Sequence, residues 1–265
     1  MPTILTKLPY VYPGAAGLMP LSVTNEEKAL FANPRVLRWA AAAHGLDTGD
    51  LRCRRTDEKL LPTASMPVFT NTGAVATAYH GNPALVQGAG LQCVMQGDGW
   101  LPLASSFSIV YVGRGGPSDA AFLFGTIDDP AVAGGTPSGT FLQFSSGTFR
   151  AYIDGIAIGT NAYTRPYEDG PSLIILSWDN DAKSGCYRVN SGLINVIKAN
   201  SMGSVAINND MLSIGAAGNP LTGYVDGGDF AEVMTLDIAL HSASGVALRG
   251  TIESYLTAKY NLPTP

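Results

Sequence analysis

From residue 67 onward the apolar residues recur with period 2, and this constrains the fold more than any other feature of the chain. In "FSIVYVGR" (107–114), Phe107, Ile109 and Tyr111 fall on one face of an extended strand, and Val110 and Val112 fall on the other. Side chains alternate across a strand, so apolar residues on both faces mean that both faces are covered, as in a central strand. "SLIILSWD" (172–179) reads the same way. "TFLQFSSGTFRAYIDG" (140–155) reads as a hairpin about Ser145-Ser146-Gly147. "CYRVN" and "LINVI" bracket Asn190-Ser191-Gly192 as a second hairpin. "AFLFG", "DMLSIG" and "FAEVMTLDIAL" complete the strand set.

Composition agrees with many short strands. The chain has 265 residues, 31 of them Gly and 17 Pro, and no repeat of solenoid type. Only 14% of residues are charged, against roughly 25% in ordinary soluble domains. No stretch of apolar residues is long enough for a membrane-spanning helix. The start, "MPTILTKLPYVYPG", is broken by Pro9 and Pro13 and does not read as a secretory signal. Cys53, Cys93 and Cys186 are odd in number and far apart, which suits free thiols in a reducing compartment.

The first 66 residues differ in character. They hold 8 Lys+Arg and 6 Asp+Glu, whereas residues 67–265 hold 8 and 15. Residues 1–20 read as an extended arm. Thr24 or Asn25 can cap a helix through "EEKALFA". Asn33-Pro34 reads as the start of a second helix, "PRVLRWAAAAHG", stopped by Gly45. "LPTASMP" (61–67) reads as a linker. These signals predict a docking or assembly segment over 1–66 and a β-sandwich over 67–265 that folds as a fragment. "RCRR" (52–55) is either a solvated face or a docking surface for an acidic partner. It is short and has no interleaved aromatic residue, so nucleic acid is not expected. At the other end, Leu248, Ile252, Tyr255 and Leu256 form one stripe of an amphipathic helix.

The order of these blocks carries a family likeness. "NPALVQGAGLQCVM" precedes the first core strand. "SLIILSWD" and "CYRVNSG" follow, then "GDFAEVMTLDIALHS" and a helix ending "YLTAKYNL". Over about residues 70–262 the chain resembles the laminin-G-like, concanavalin A-like lectin/glucanase sandwich, in the form found in bacteriophage virion proteins and bacterial surface proteins. The resemblance implies an all-β fold. That fold is a two-sheet antiparallel jelly-roll sandwich with a C-terminal amphipathic helix, preceded here by a short helical N-terminal segment. It also implies binding of glycans or proteins, with a minority of members acting as glycoside hydrolases. The hydrolase members carry a Glu-x-Asp-x-x-Glu-type run on one strand, and no such run is present.

Candidate residues follow. Glu232 shares a strand face with Met234, Leu236 and Ile238, and a carboxylate there is costly unless partnered. The resemblance places it at the seam between sandwich and helix, accepting hydrogen bonds as a structural residue. Calcium through loop carboxylates is the one cofactor considered, with Asp179, Asp181, Asp226 and Asp229 as candidates. "DNDAKSG" (179–185) starts like a calcium loop, but it has Lys183 at the fifth place and lacks the later Glu. Trp100, Tyr163 and Tyr167 could stack on a sugar ring. His44, His80 and His241 are scattered and form no evident triad.

The expectation from sequence is therefore a non-enzymatic virion structural or attachment protein, either a receptor-binding or a decoration protein. It would be made in the host cytoplasm and dock on other virion proteins through residues 1–66. The expected partners are further copies of the chain in a homo-oligomer, by analogy a trimer, and a host-surface glycan or protein. The alternative is a carbohydrate-binding module or glycoside hydrolase of the same superfamily.

Overall fold

The computed structural model describes residues 24–44, 51–56, 58–62, 70–71, 79–86, 95–102, 105–114, 120–126, 139–145, 148–162, 170–198, 205, 211–215 and 229–264. In chain order the elements are α1 (Asn25–Ala32), β1 (Val36–Ala41), β2 (Leu51–Arg52), β3 (Lys59–Pro62), β4 (Thr70–Asn71), β5 (Leu85–Val86), β6 (Met95–Gly97), β7 (Phe107–Arg114), β8 (Ala120–Gly125), β9 (Phe141–Ser145), β10 (Thr148–Ile153), β11 (Ile156–Ala162), β12 (Ser172–Asp179), β13 (Ser184–Val189), β14 (Ile194–Lys198), β15 (Leu212–Ile214), β16 (Asp229–Leu236) and α2 (Val246–Tyr260).

The strands form two antiparallel sheets. The first runs β14-β13-β12-β7-β16-β5-β4, with β1 also paired to β16; the second runs β11-β10-β9-β8-β15-β6-β3-β2. One apolar layer lies between the sheets, holding Phe107, Ile109, Tyr111, Ile174, Leu176 and Trp178 against Leu142, Phe149, Ala151 and Ile214. A second lies on the outer face of the first sheet, where Val110, Val112, Leu173, Ile175 and Met234 meet Leu30 of α1 and Ile252, Tyr255 and Leu256 of α2. The two-faced apolar pattern of β7 and β12 has this cause: the first sheet is the middle layer of three. The fold is an all-β antiparallel sandwich with one helix near each end of the chain.

Two expectations about the first 66 residues are corrected. Residues 36–41 form a strand, not a helix, pairing with β16 from Val36↔Leu236 to Ala41↔Glu232. The Asn33-Pro34 signal makes a turn: Asn33 Oδ1 accepts from the Arg35 amide at 2.9 Å, and the Val36 amide returns to the Asn33 carbonyl at 3.2 Å. Of the two expected helices the one capped by Thr24 forms, with Thr24 Oγ1 accepting from the Glu27 amide at 3.1 Å. The boundary at residue 66 also fails as a division between a docking segment and a sandwich. β1 completes the first sheet, while β2 and β3 extend the second through Leu61↔Gln96. The "RCRR" stretch is built into this frame. Arg54 binds Glu27 at 2.5 Å and lies 4.4 Å from the centre of the Trp39 ring. Arg55 donates to the Asn33 carbonyl at 2.7 Å.

Candidate functional site

The long strand β16 carries two carboxylates on its helix-facing side because of a bulge. Its register against β7 shifts between Phe230↔Gly113 and Glu232↔Val112, so Ala231 is an extra residue. Phe230 and Val233 then face the other sheet, while Ala231, Met234 and Leu236 face the helices. Glu232 shares that helix-facing side and is 1% exposed.

Three donors converge on Glu232. Trp39 of β1 donates its indole N–H to Oε1 at 2.5 Å. Tyr260 donates its hydroxyl to Oε2 at 2.5 Å, and Lys259 donates from Nζ to the same oxygen at 2.7 Å. Charge-assisted bonds of this kind are roughly twice as strong as neutral ones, and they satisfy a carboxylate that has lost its water. Burial, followed by the Glu232 charge, holds the Tyr260 hydroxyl well above its usual pKa, so it stays a donor. Lys259 Nζ also donates to the Tyr255 hydroxyl at 3.0 Å and stands 5.3 Å from that ring's centre. Glu232 thus links β16 to β1 and to the last turn of α2.

Asp229, 2% exposed at the start of the same strand, has its own partners. Arg114 grips Oδ2 from Nε at 3.0 Å and Nη2 at 2.5 Å, and the Tyr79 hydroxyl donates to Oδ1 at 2.5 Å. Burial raises the Asp229 pKa, and the bonds from Tyr79 and Arg114 pull it part of the way back. The Tyr79 and Tyr260 rings meet edge to face at 5.9 Å. Asn82 donates to the Lys259 carbonyl at 2.8 Å, tying the Tyr79 turn to α2. The two carboxylate clusters are therefore neighbours joined through a pair of tyrosines.

The other candidates fall elsewhere. Asp229 is corrected as a metal ligand, since Arg114 and Tyr79 hold both its oxygens. Asp179 Oδ1 accepts from the amides of Asp181 and Ala182 at 3.0 and 3.1 Å, which closes the β12–β13 turn. Asp181 is exposed on that turn. Asp226, Tyr163 and Tyr167 lie outside the described residues. Among the described residues no three of His, Cys, Asp and Glu converge as a metal site would require. Trp100 is corrected as a sugar-stacking residue: it is fully buried between the sheets and has no face to offer a ligand.

The outer face of the second sheet was not singled out from the sequence. Along β10, Phe149, Ala151 and Ile153 point into the core, which turns Thr148, Arg150 and Tyr152 outward. Arg150 is exposed, and Thr148 and Tyr152 are half-buried. Gln143, opposite Arg150 on β9, is 8% exposed. The signal was present in "TFRAYI", where polar and apolar residues alternate as on a one-sided sheet.

Comparison with known proteins places this geometry among β-sandwiches. Neither a protein-family model nor a curated protein sequence matches the chain. Solved structures do. A Trypanosoma rangeli sialidase in complex with sialic acid superposes with a TM-score of 0.54 at 12% identity, over 84% of this chain and 34% of that one. The binding domain of botulinum neurotoxin serotype D gives 0.51 at 10% identity, over 82% and 51%. A botulinum neurotoxin type C structure, whose description ties cell entry to interaction with two ganglioside molecules, gives 0.54 at 10% identity, over 82% and 50%. The chain spans a third to about half of these proteins' lengths, and identities this low establish the fold alone. The expectation of a protein without enzymatic activity is corrected here. A sialidase, an enzyme, shares the fold over most of this chain, so the missing Glu-x-Asp-x-x-Glu run does not exclude catalysis. Among the described residues no helix is long and apolar enough to cross a membrane.

Proposed function

We propose that this chain is the glycan- or receptor-binding sandwich of a virion attachment protein. The observation that carries the reading is the polar outer face of the second sheet, where β10 turns Arg150 and Tyr152 outward, on a sandwich whose opposite face is covered by helices. An arginine fork donates to sugar hydroxyl or carboxylate oxygens, and a tyrosine ring offers an apolar platform to a sugar face. Structural likeness to toxin binding domains, one of them described with gangliosides, supports the same reading. The order of sequence blocks, resembling phage virion sandwiches, supports a place on the particle. Docking is assigned to the N-terminal segment 1–66, part of which also builds the sheets, and assembly as a homo-oligomer goes with it.

A glycan array with the full chain tests the binding. Selective signals that fall in Arg150→Ala support it, and an array blank for the wild-type chain overturns it. Mass spectrometry of purified particles tests the location: the chain should be a stoichiometric component. Release of free sugar from a bound glycan would move the reading to the superfamily's hydrolases.

A further inference from the structure

The outermost strand of a sheet leaves backbone donors and acceptors for another strand to pair with, and proteins blunt such edges by keeping them short, bulged or charged. The two sheets end in four strands, β4 and β14 in the first and β2 and β11 in the second. β4 and β2 are two residues each. β11 is bulged, its register against β10 shifting between Ala151↔Gly159 and Tyr152↔Ala157. β1, which flanks the far half of β16, is met on its other side by the Arg54 amide, which donates to the Trp39 carbonyl at 2.6 Å. β14 is different. It pairs with β13 without a shift from Val189↔Ile194 to Gly185↔Lys198, and among the described residues no strand pairs on its other side.

The side chains of β14 leave the same edge apolar. Ile194 and Val196 pack against the core between the sheets, which turns Asn195 and Ile197 to the opposite face. Ile197 is 52% exposed, and Leu193, just before the strand, is 46% exposed. The charge on the strand is Lys198, and its Nζ donates to the Ala157 carbonyl of β11 at 2.9 Å, which draws it toward the second sheet. Arg188, opposite Asn195 on β13, is held by Glu253 of α2 at 2.6 Å. The charges along this edge thus already have partners, and what is left to recognise is backbone and aliphatic surface.

We infer that β14 is a self-association edge: two copies of the chain pair β14 against β14, antiparallel about a two-fold axis, and join their first sheets into one. A two-fold contact needs a surface complementary to itself. With the axis at Asn195, Ile194 of each copy lies opposite Val196 of the other, and Ile197 reaches Leu193. The two Asn195 amides meet at the centre, each with a donor and an acceptor to offer. The two Lys198 side chains fall at opposite ends, so like charges do not face each other. A slip by one residue would set the core face of one copy against the outer face of the other. Moving the axis to Val196 would set Ile197 against Asn195 and Lys198 against Ile194. Such a dimer gives a surface to the homo-oligomer of the proposed function, rests on that part of it and not on glycan binding, and sets the number of copies at two.

Sedimentation velocity of the full chain over about 1–100 μM tests this. The wild-type chain should pass from one copy to two. Ile197→Lys, a change at an exposed position, should raise the dissociation constant about tenfold or more while leaving the melting curve unchanged. Leu193→Lys, at the residue Ile197 meets, repeats the test if the first change lowers the melt. Leu61→Lys, at a site 51% exposed on β3, should leave the dimer intact. Hydrogen exchange of the β14 amides should slow as concentration rises. A chain that stays single at the highest concentration overturns the inference, as does a trimer, a dimer indifferent to Ile197→Lys and Leu193→Lys, or one weakened as much by Leu61→Lys. A blank glycan array would leave the dimer in place, and a single-copy chain would leave glycan binding in place.

Discussion

The two outer faces of the sandwich spend their polar groups in opposite ways. On the first sheet, α1 and α2 cover the face, and Asp229 and Glu232 lie beneath them with every carboxylate oxygen partnered. On the second sheet, β10 turns Arg150 outward beside Tyr152. A buried carboxylate held by an indole, an ammonium and a phenol is closed off from any ligand, and its removal takes an acceptor from all three donors. An exposed guanidinium costs the fold little and remains free to bind. A charged residue in a strand is thus no sign of a binding site by itself; what decides is whether the fold has already claimed its hydrogen bonds. Four changes test this division.

The largest effect is expected from removing residues 1–66. That deletion takes β1 off the edge of β16, removes β2 and β3 from the second sheet, and strips Trp39 from Glu232. Unpaired strand edges in both sheets and a buried carboxylate short of one donor together compare with the whole stability of an ordinary domain, about 5–15 kcal/mol. The 67–265 fragment should lack a cooperative melt by circular dichroism. A sharp, β-rich transition in the fragment would restore the division at residue 66 and make β1 an accessory strand.

Glu232→Ala is next, at about 3–5 kcal/mol, the cost of breaking a buried ion pair by deleting one partner. Denaturant unfolding measures it. Glu232→Gln should recover part of the loss, because an amide oxygen still accepts from Trp39. A loss below about 1 kcal/mol would mean that the seam is wet. Leu256→Ala follows, at about 2–4 kcal/mol for a leucine emptied from a tightly packed site. Leu256 is fully buried between α2 and the first sheet. A neutral result would mean that α2 docks only in a larger assembly.

These elements were unequally legible in the sequence. β7 and β12 were readable because their pattern is local: both faces apolar, period 2. The face of Glu232 was readable for the same reason. Its partners were not, since Trp39 lies 193 positions away and nothing local relates the two. β1 was misread because "PRVLRWAAAAHG" is rich in helix-forming alanine and follows an Asn-Pro signal. Pairing to β16 overrode that weak preference. The bulge at Ala231 left no local mark, yet it turns Glu232 toward the helices while keeping Phe230 in the core. Trp100 was misjudged because its type admits both a core and a binding role, and only burial separates them.

The smallest effect on stability should come from Arg150→Ala. The side chain is exposed on a strand whose inward residues carry the packing, so the change should stay within about 0.5 kcal/mol. Its effect on binding should be far larger. Hydrogen bonds to a charged donor contribute about 1.5–3 kcal/mol, and each 1.4 kcal/mol is about tenfold in affinity. Loss of the guanidinium should therefore weaken an acidic or hydroxyl-rich glycan by about tenfold or more. Titration calorimetry with the best array glycan reads the affinity, and a melting curve on the same sample reads the fold. If binding persists while the melt is unchanged, the ligand face lies elsewhere on the sandwich. If the melt itself drops by several degrees, Arg150 is already claimed by the fold, and the two faces differ less than their exposures imply.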